Sequence, residues 1–221
     1  MTQLSSLSSL PTGLCILVGG KVQNQGQNQN RYKLICQKYK NIYRFATLYD
    51  TTNRIPVFSA YTFTGPPTDR RPNQRWMIEP QIEYQHQAGD NDYKNSIPSK
   101  GVNRGHLFPS SHAHDLDTQK STFTLTNIVP QVVSFNGGSW NEMECKVKTT
   151  LNLSEHCRNN NNKTEAYVVT GAVPIINKLN NRVNIPDLLW TAYCCYNNTL
   201  NNRVNIPDII WTAYCCETSD G

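Results

Sequence analysis

Three absences narrow what this chain is. No apolar run approaches the roughly eighteen residues that a membrane-spanning helix needs, so no stable membrane association is expected. No Cys-x-x-Cys pair occurs among the eight cysteines, which speaks against a zinc ribbon and against a thioredoxin-type redox centre. No Lys or Arg precedes the short apolar stretch Leu14–Val18. A secretory leader has a basic start and a longer apolar segment. Residues 1–34 therefore read as a poorly ordered N-terminal segment and a signal remnant, with the low-complexity run Gln23–Asn30 inside it.

What is present fits one domain with a sizeable core, in a chain of 221 residues that is 38% hydrophobic. The net charge of +5 is uneven. Residues 1–110 carry 13 Lys/Arg against 6 Asp/Glu, whereas residues 111–221 carry 8 against 10. A polyanion is drawn to the basic half. The even cysteine count and three N-glycosylation sequons, starting at Asn152, Asn162 and Asn197, point to an oxidising, extracellular setting.

Local patterning gives the first elements. Tyr43–Tyr49 reads as a strand, Asp50–Asn53 as a turn, and Ile55–Phe63 as the partner strand. Residues 64–101, rich in Pro, Asn, Asp and Gln, read as a long surface excursion. Asn136-Gly137-Gly138-Ser139 reads as a turn into a helix with Ser139 as its N-cap. Trp140, Met143, Val147 and Leu151 then form one apolar stripe, with Glu144 beside it. Ala166–Val173 reads as a buried strand. Leu179–Cys195 recurs at Leu200–Cys216 with only Leu188 and Leu189 changed, to Ile209 and Ile210. Two copies make no solenoid. One sheet position accepts one copy, and the other must pair elsewhere, swap or hang loose.

The chemistry-bearing residues lie between these elements. Phosphodiester hydrolysis needs an activated water, charge stabilisation at phosphorus and help for the leaving oxygen. His106 is a natural general base, because an ordinary imidazole is neutral and basic near its pKa of ~6.5. Asn136 offers a neutral oxygen to a hard cation such as Mg²⁺, which takes few protein ligands and keeps most of its waters. Glu144 can hold those waters, since helical side chains lean toward the N-terminus and hence toward Asn136. Arg104 can grip a phosphate through its forked donors. Asn127 anchors the loop between base and helix. His112-Ala-His114 reads as polar surface.

The segments Ala46–Asp50, Arg54–Tyr61, Asn103–Leu107 and Asn127–Gln131, with Phe135, Asn136, Trp140 and Glu144, resemble those of the DNA/RNA non-specific endonucleases. The resemblance runs from about Ile35 to Cys195. It implies an α+β fold: a central antiparallel β-sheet with a ββα-metal (His-Me finger) nuclease core over residues 35–195. The duplicated strand segment and a truncated C-terminus follow at 196–221. It implies metal-dependent cleavage of DNA and RNA without sequence preference. In that scheme His106 is the general base, and Asn136 is the one direct protein ligand to Mg²⁺ (or Mn²⁺). Glu144 acts through metal-bound water, and Arg104 is the arginine before the Gly-His. An upstream phosphate-binding arginine is also implied, with Arg75 ranked just ahead of Arg71. The chain departs from the family at Asn103, where the usual motif is Asp-Arg-Gly-His. That departure leaves a rival expectation, a catalytically inactive secreted glycoprotein that binds nucleic acid or a protein partner through the retained fold.

Overall fold

The computed structural model describes residues 31–195 and the backbone of 209–214. Expectations for residues 1–30, including the leader, and for the sequon at Asn197 lie outside the described residues.

Six strands form the main sheet: β1 (Tyr32–Tyr39), β2 (Ile42–Asp50), β3 (Ile55–Phe63), β6 (Ala166–Val173), β9 (Leu188–Cys195) and β10 (Ile209–Tyr214). They are antiparallel throughout, in the order β1-β2-β3-β6-β9-β10. The Asp50–Asn53 turn is built as its residue types dictate. The Asp50 carboxylate accepts from the backbone N–H of Thr52 and Asn53 at 2.9 and 3.1 Å. Arg31 closes the corner on the same carboxylate at 2.7 Å. The β1 strand was not legible in the sequence, yet it pairs with β2 along its whole length.

Strand β9 alternates half-buried and buried residues along its length, the period-two signature of a sheet with one face on the core. Gly171 sits opposite Trp190, and any Cβ at 171 would collide with the indole. A two-residue ladder, β7 (Lys178–Leu179) with β8 (Val183–Asn184), bridges β6 to β9. Both copies of the duplicated segment enter the main sheet. The second copy, β10, pairs antiparallel with the first, from Ile209 opposite Tyr193 to Tyr214 opposite Leu188. Of the fates open to the extra copy, it takes pairing at the sheet edge.

A short further ladder, β4 (Val102–His106) with β5 (Ile128–Val132), packs with the segment Leu125–Asn127 against β2 and β3. Between this ladder and the main sheet Phe108 stacks on Tyr61 at 3.9 Å and meets Phe45 edge-on at 5.1 Å. The predicted stripe Trp140, Met143, Val147 and Leu151 is buried in the same core. The excursion 64–101 carries no long element, but it is not merely surface. Ile82, Gln87, Ala88 and Tyr93 are buried, and the Ala88 N–H donates to the Tyr49 hydroxyl at 3.0 Å. Short-range periodicity could not reveal these contacts because they are made across the fold.

Candidate active site

The β4–β5 ladder delivers the site. Strand β4 ends at His106, opposite Ile128, and β5 runs directly into the helical segment that carries Asn136. Gly105 permits close packing of the ladder, since a Cβ there would collide with the Gln131 side chain. Asn127 fixes the chain just beyond His106. Its Oδ1 accepts from Ser59 Oγ at 2.8 Å and from the Phe108 N–H at 3.0 Å. Its Nδ2 donates to the Phe108 and Thr122 carbonyls, each at 3.0 Å. All four hydrogen-bonding positions of this fully buried amide are filled, so the expected anchor is present.

The helix start differs from the sequence expectation. Helical backbone begins at Val133, passes through a wide turn over Asn136–Trp140, and continues as the long helix Asn141–Leu153. Ser139 is not an N-cap. Gly138, at φ −104° and ψ −114°, bends the segment instead. The Gly-Gly pair that reads as a turn is a kink inside a continuing helix, and it sets Asn136 at the bend. The Asn136 Nδ2 donates to Asn103 Oδ1 at 2.7 Å, and among the described residues the Asn136 Oδ1 has no hydrogen bond. Further along the helix, beyond the kink, the Glu144 carbonyl accepts from His112 Nε2 at 2.9 Å. His112 Nδ1 therefore accepts from the Tyr61 hydroxyl, at 2.8 Å. Buried among these groups, His112 is held down to about 4, neutral. The His-x-His segment is thus half core, contrary to its reading as polar surface.

A cleft of about 520 Å³ opens between the ladder, the kinked helix and the excursion, and Arg71, Arg104, His106, Asn136 and Glu144 line it. His106 is only 8% exposed, wedged between Trp76 at 5.2 Å and Phe123 at 5.1 Å. Burial, with the charge of Arg71, pushes its imidazole down to about 3. Its Nε2 is buried with no hydrogen-bond partner. Burial pushes the half-buried Glu144 carboxyl the other way, up to about 8, against the pull of the Trp140 indole, Arg71 and Lys148. The indole Nε1 forms no hydrogen bond of regular geometry, so its pull on Glu144 is one of proximity. Arg104 lies between the rings of Trp76 and Tyr93, at 5.5 and 5.2 Å, with Nη2 on Asp90 Oδ1 at 2.6 Å. Among the described residues no three His, Cys, Asp or Glu side chains converge on a common metal position. Of the oxygen-bearing side chains that line the cleft, the Asn136 amide and the Glu144 carboxyl group suit a largely hydrated hard cation rather than a multi-ligand cage.

Residues 24–221 match the DNA/RNA non-specific endonuclease family. The chain belongs to that family. It is 34% identical over 180 residues to the human endonuclease domain-containing 1 protein, covering 73% of this chain and 34% of that one. The mouse mitochondrial nuclease EXOG is 33% identical over 129 residues, covering 44% of this chain. The chain thus spans about a third of the length of these curated relatives. A chain from a crystal structure of the EndoG/EndoGI complex superposes with a TM-score of 0.57 at 20% identity, over 73% of this chain and 69% of its own. That likeness shows the fold, a ββα-metal nuclease architecture around a central antiparallel sheet.

Within this endonuclease fold the sequence-predicted residues separate into two groups. His106, Arg104, Asn136 and Glu144 share the cleft, while Asn103 and Asn127 stand behind it as hydrogen-bond partners. Arg75 is not among the cleft residues and Arg71 is. Arg71 lies 5.4 Å over the Phe123 ring that also flanks His106. The sequence ranked these two arginines in the opposite order because the excursion offers no periodicity to fix their direction. Cys157 and Cys195 form a disulfide, in keeping with the expected oxidising setting. No helix among the described residues is long and apolar enough to cross a membrane.

Proposed function

We propose that this chain is a metal-dependent endonuclease that hydrolyses phosphodiester bonds of DNA and RNA with little sequence preference. The observation that carries the reading is His106, which lines a cleft together with two arginines and whose buried Nε2 is unpaired. A buried donor or acceptor without a partner is destabilising by about 1–3 kcal/mol. Such a group in a cleft is explained by a ligand that completes it.

In this mechanism His106 stays neutral across the physiological range and takes the proton from an attacking water on its imidazole. Nucleic acid enters with its phosphate against Arg71 and Arg104, whose guanidinium groups bind phosphate oxygens through paired donors. Arg71 takes the role of the upstream arginine in preference to Arg75. Asn136 Oδ1 would hold a divalent cation directly, and Glu144 would hold it through water. When bound, that Mg²⁺ or Mn²⁺ ion stabilises charge on the phosphoryl group and the leaving oxygen. Contacts made mainly to phosphates leave base sequence unread. Secretion belongs to the same reading and is supported by the Cys157–Cys195 disulfide.

Supercoiled plasmid incubated with Mg²⁺ should be nicked, and chelator or His106→Ala should stop it. An unchanged rate in His106→Ala overturns the mechanism. Salt-sensitive DNA retention without nicking, from a protein that unfolds cooperatively, returns the binding-only glycoprotein instead.

A further inference from the structure

We infer that Asn103 is a positioning residue for the cation site, and that its amide leaves the ligand Asn136 able to turn away from the cation. The inference rests on reading Asn136 as the direct ligand.

The Asn103–Asn136 pair is joined by one side-chain hydrogen bond, Asn136 Nδ2 to Asn103 Oδ1 at 2.7 Å. Each amide has both a donor end and an acceptor end. The bond therefore has two polarities of the same shape. In the observed polarity Asn136 spends its N–H on Asn103 and keeps Oδ1 free for a cation. Turning both amides over lets Asn103 Nδ2 donate to Asn136 Oδ1. The same bond is kept, but a pair of N–H hydrogens then faces the cleft, where they repel a cation. Neither end is locked by a third group among the described residues, where the bond between them is the one side-chain hydrogen bond that either amide makes. Asn127, by contrast, has every position of its amide filled and cannot turn.

A residue at 103 that only accepts removes the second polarity. It holds the Asn136 N–H inward and the Oδ1 outward at all times. Apparent affinity falls in proportion to the fraction of molecules in the binding-competent form. Two evenly populated orientations therefore weaken the cation by about twofold, and a bias toward the reversed form weakens it further. The cation itself selects the competent orientation, so the site is set by cation concentration rather than preformed.

The test is Mn²⁺ binding measured by calorimetry on the full chain, as wild type, Asn103→Asp, Asn103→Leu and Asn136→Ala. Apo melting temperatures are recorded for each. Asn103→Asp should tighten Mn²⁺ by at least about twofold. Part of that gain should persist in about 1 M salt, where the added charge is screened. Asn103→Leu adds no charge and frees the Asn136 side chain, so it should weaken Mn²⁺ severalfold. Both changes should exceed anything expected from the apo melting temperatures, which a merely structural role would move instead. Equal Mn²⁺ affinity in wild type, Asn103→Asp and Asn103→Leu overturns the inference while leaving the site standing. Unaltered binding in Asn136→Ala overturns the ligand reading itself.

Discussion

Two buried polar regions lie within a few residues of each other and are built on opposite principles. Behind the cleft, Gln37, Thr47, Ser59, Thr124, Thr126 and Asn127 form a connected layer in which each side chain meets another. Thr47 contacts Ser59 at 3.1 Å, Ser59 donates to Asn127 at 2.8 Å, and Gln37 donates to Thr126 at 2.8 Å. At the cleft, buried atoms of Arg104 and His106 have no hydrogen-bond partner, and just behind it nor do the Trp140 indole and both amide atoms of Gln131 beside Gly105. A satisfied buried network stabilises and fixes one structure, whereas an unsatisfied one is kept for something other than stability. The first region holds the second in shape; the second is poised for an external partner.

That contrast can be broken by substitution. The largest effect is expected at His106. His106→Ala should reduce plasmid nicking by roughly a thousandfold, the scale of a lost general base. Its unfolding free energy should fall less than in Asn127→Leu, because removal of an unpaired polar atom offsets part of the packing lost between Trp76 and Phe123. Asn127→Leu should do the reverse. It strands the Phe108 N–H and the Phe108 and Thr122 carbonyls, so unfolding free energy should fall by about 3 kcal/mol or more, measured in urea. A fall of similar size in His106→Ala would erase the distinction between the regions.

The arginines sharpen the comparison at smaller scale. Arg71→Ala should slow cleavage roughly tenfold, the value of one charged hydrogen bond to phosphate, and Arg75→Ala should leave it within about twofold. Equal losses would place Arg75 in the cleft as well.

The smallest effect concerns acid. Hydrogen bonds from Arg31 and from Asn53 hold the Asp50 carboxyl below its usual range, outweighing the opposing effect of burial, which is the largest single influence. A carboxyl lowered in the folded state stabilises the fold above its unfolded pKa, and that stability is lost as pH falls through the folded value. Melting temperature should therefore drop below about pH 4. In Asp50→Asn the drop should be shallower, and identical acid profiles would remove Asp50 from the account.

The sequence made the motif around His106 and the helix after Asn136 legible because their residues are close in sequence, although the strand that carries His106 was not read from it. Asn103 to His106 lie on one strand, and Asn136 and Glu144 lie on one helical segment, and their order together with the family resemblance grouped them. The strand pair around Asp50 was legible for the same reason. The start of the helix was not, since Val133–Phe135 is too short for a period and Gly137-Gly138 mimics a turn. Nor was the place of Arg71. It is set by distant anchors of the excursion, the Met77 N–H on the Phe123 carbonyl at 2.9 Å and the Thr68 N–H on the His114 carbonyl at 3.0 Å. The buried role of His112 depends on Tyr61 and the Glu144 carbonyl, partners that lie well apart from it in sequence.

The duplicated strand gives the Cys157–Cys195 disulfide a second task. Cys216 holds the matching place in the other copy. Closing the longer loop to Cys216 would differ in chain entropy by less than about 1 kcal/mol. Loop closure therefore distinguishes weakly between two nearly identical segments for the place beside β6. The sulfur–sulfur bond acts as an address label: it records which copy lies there, for as long as the setting stays oxidising.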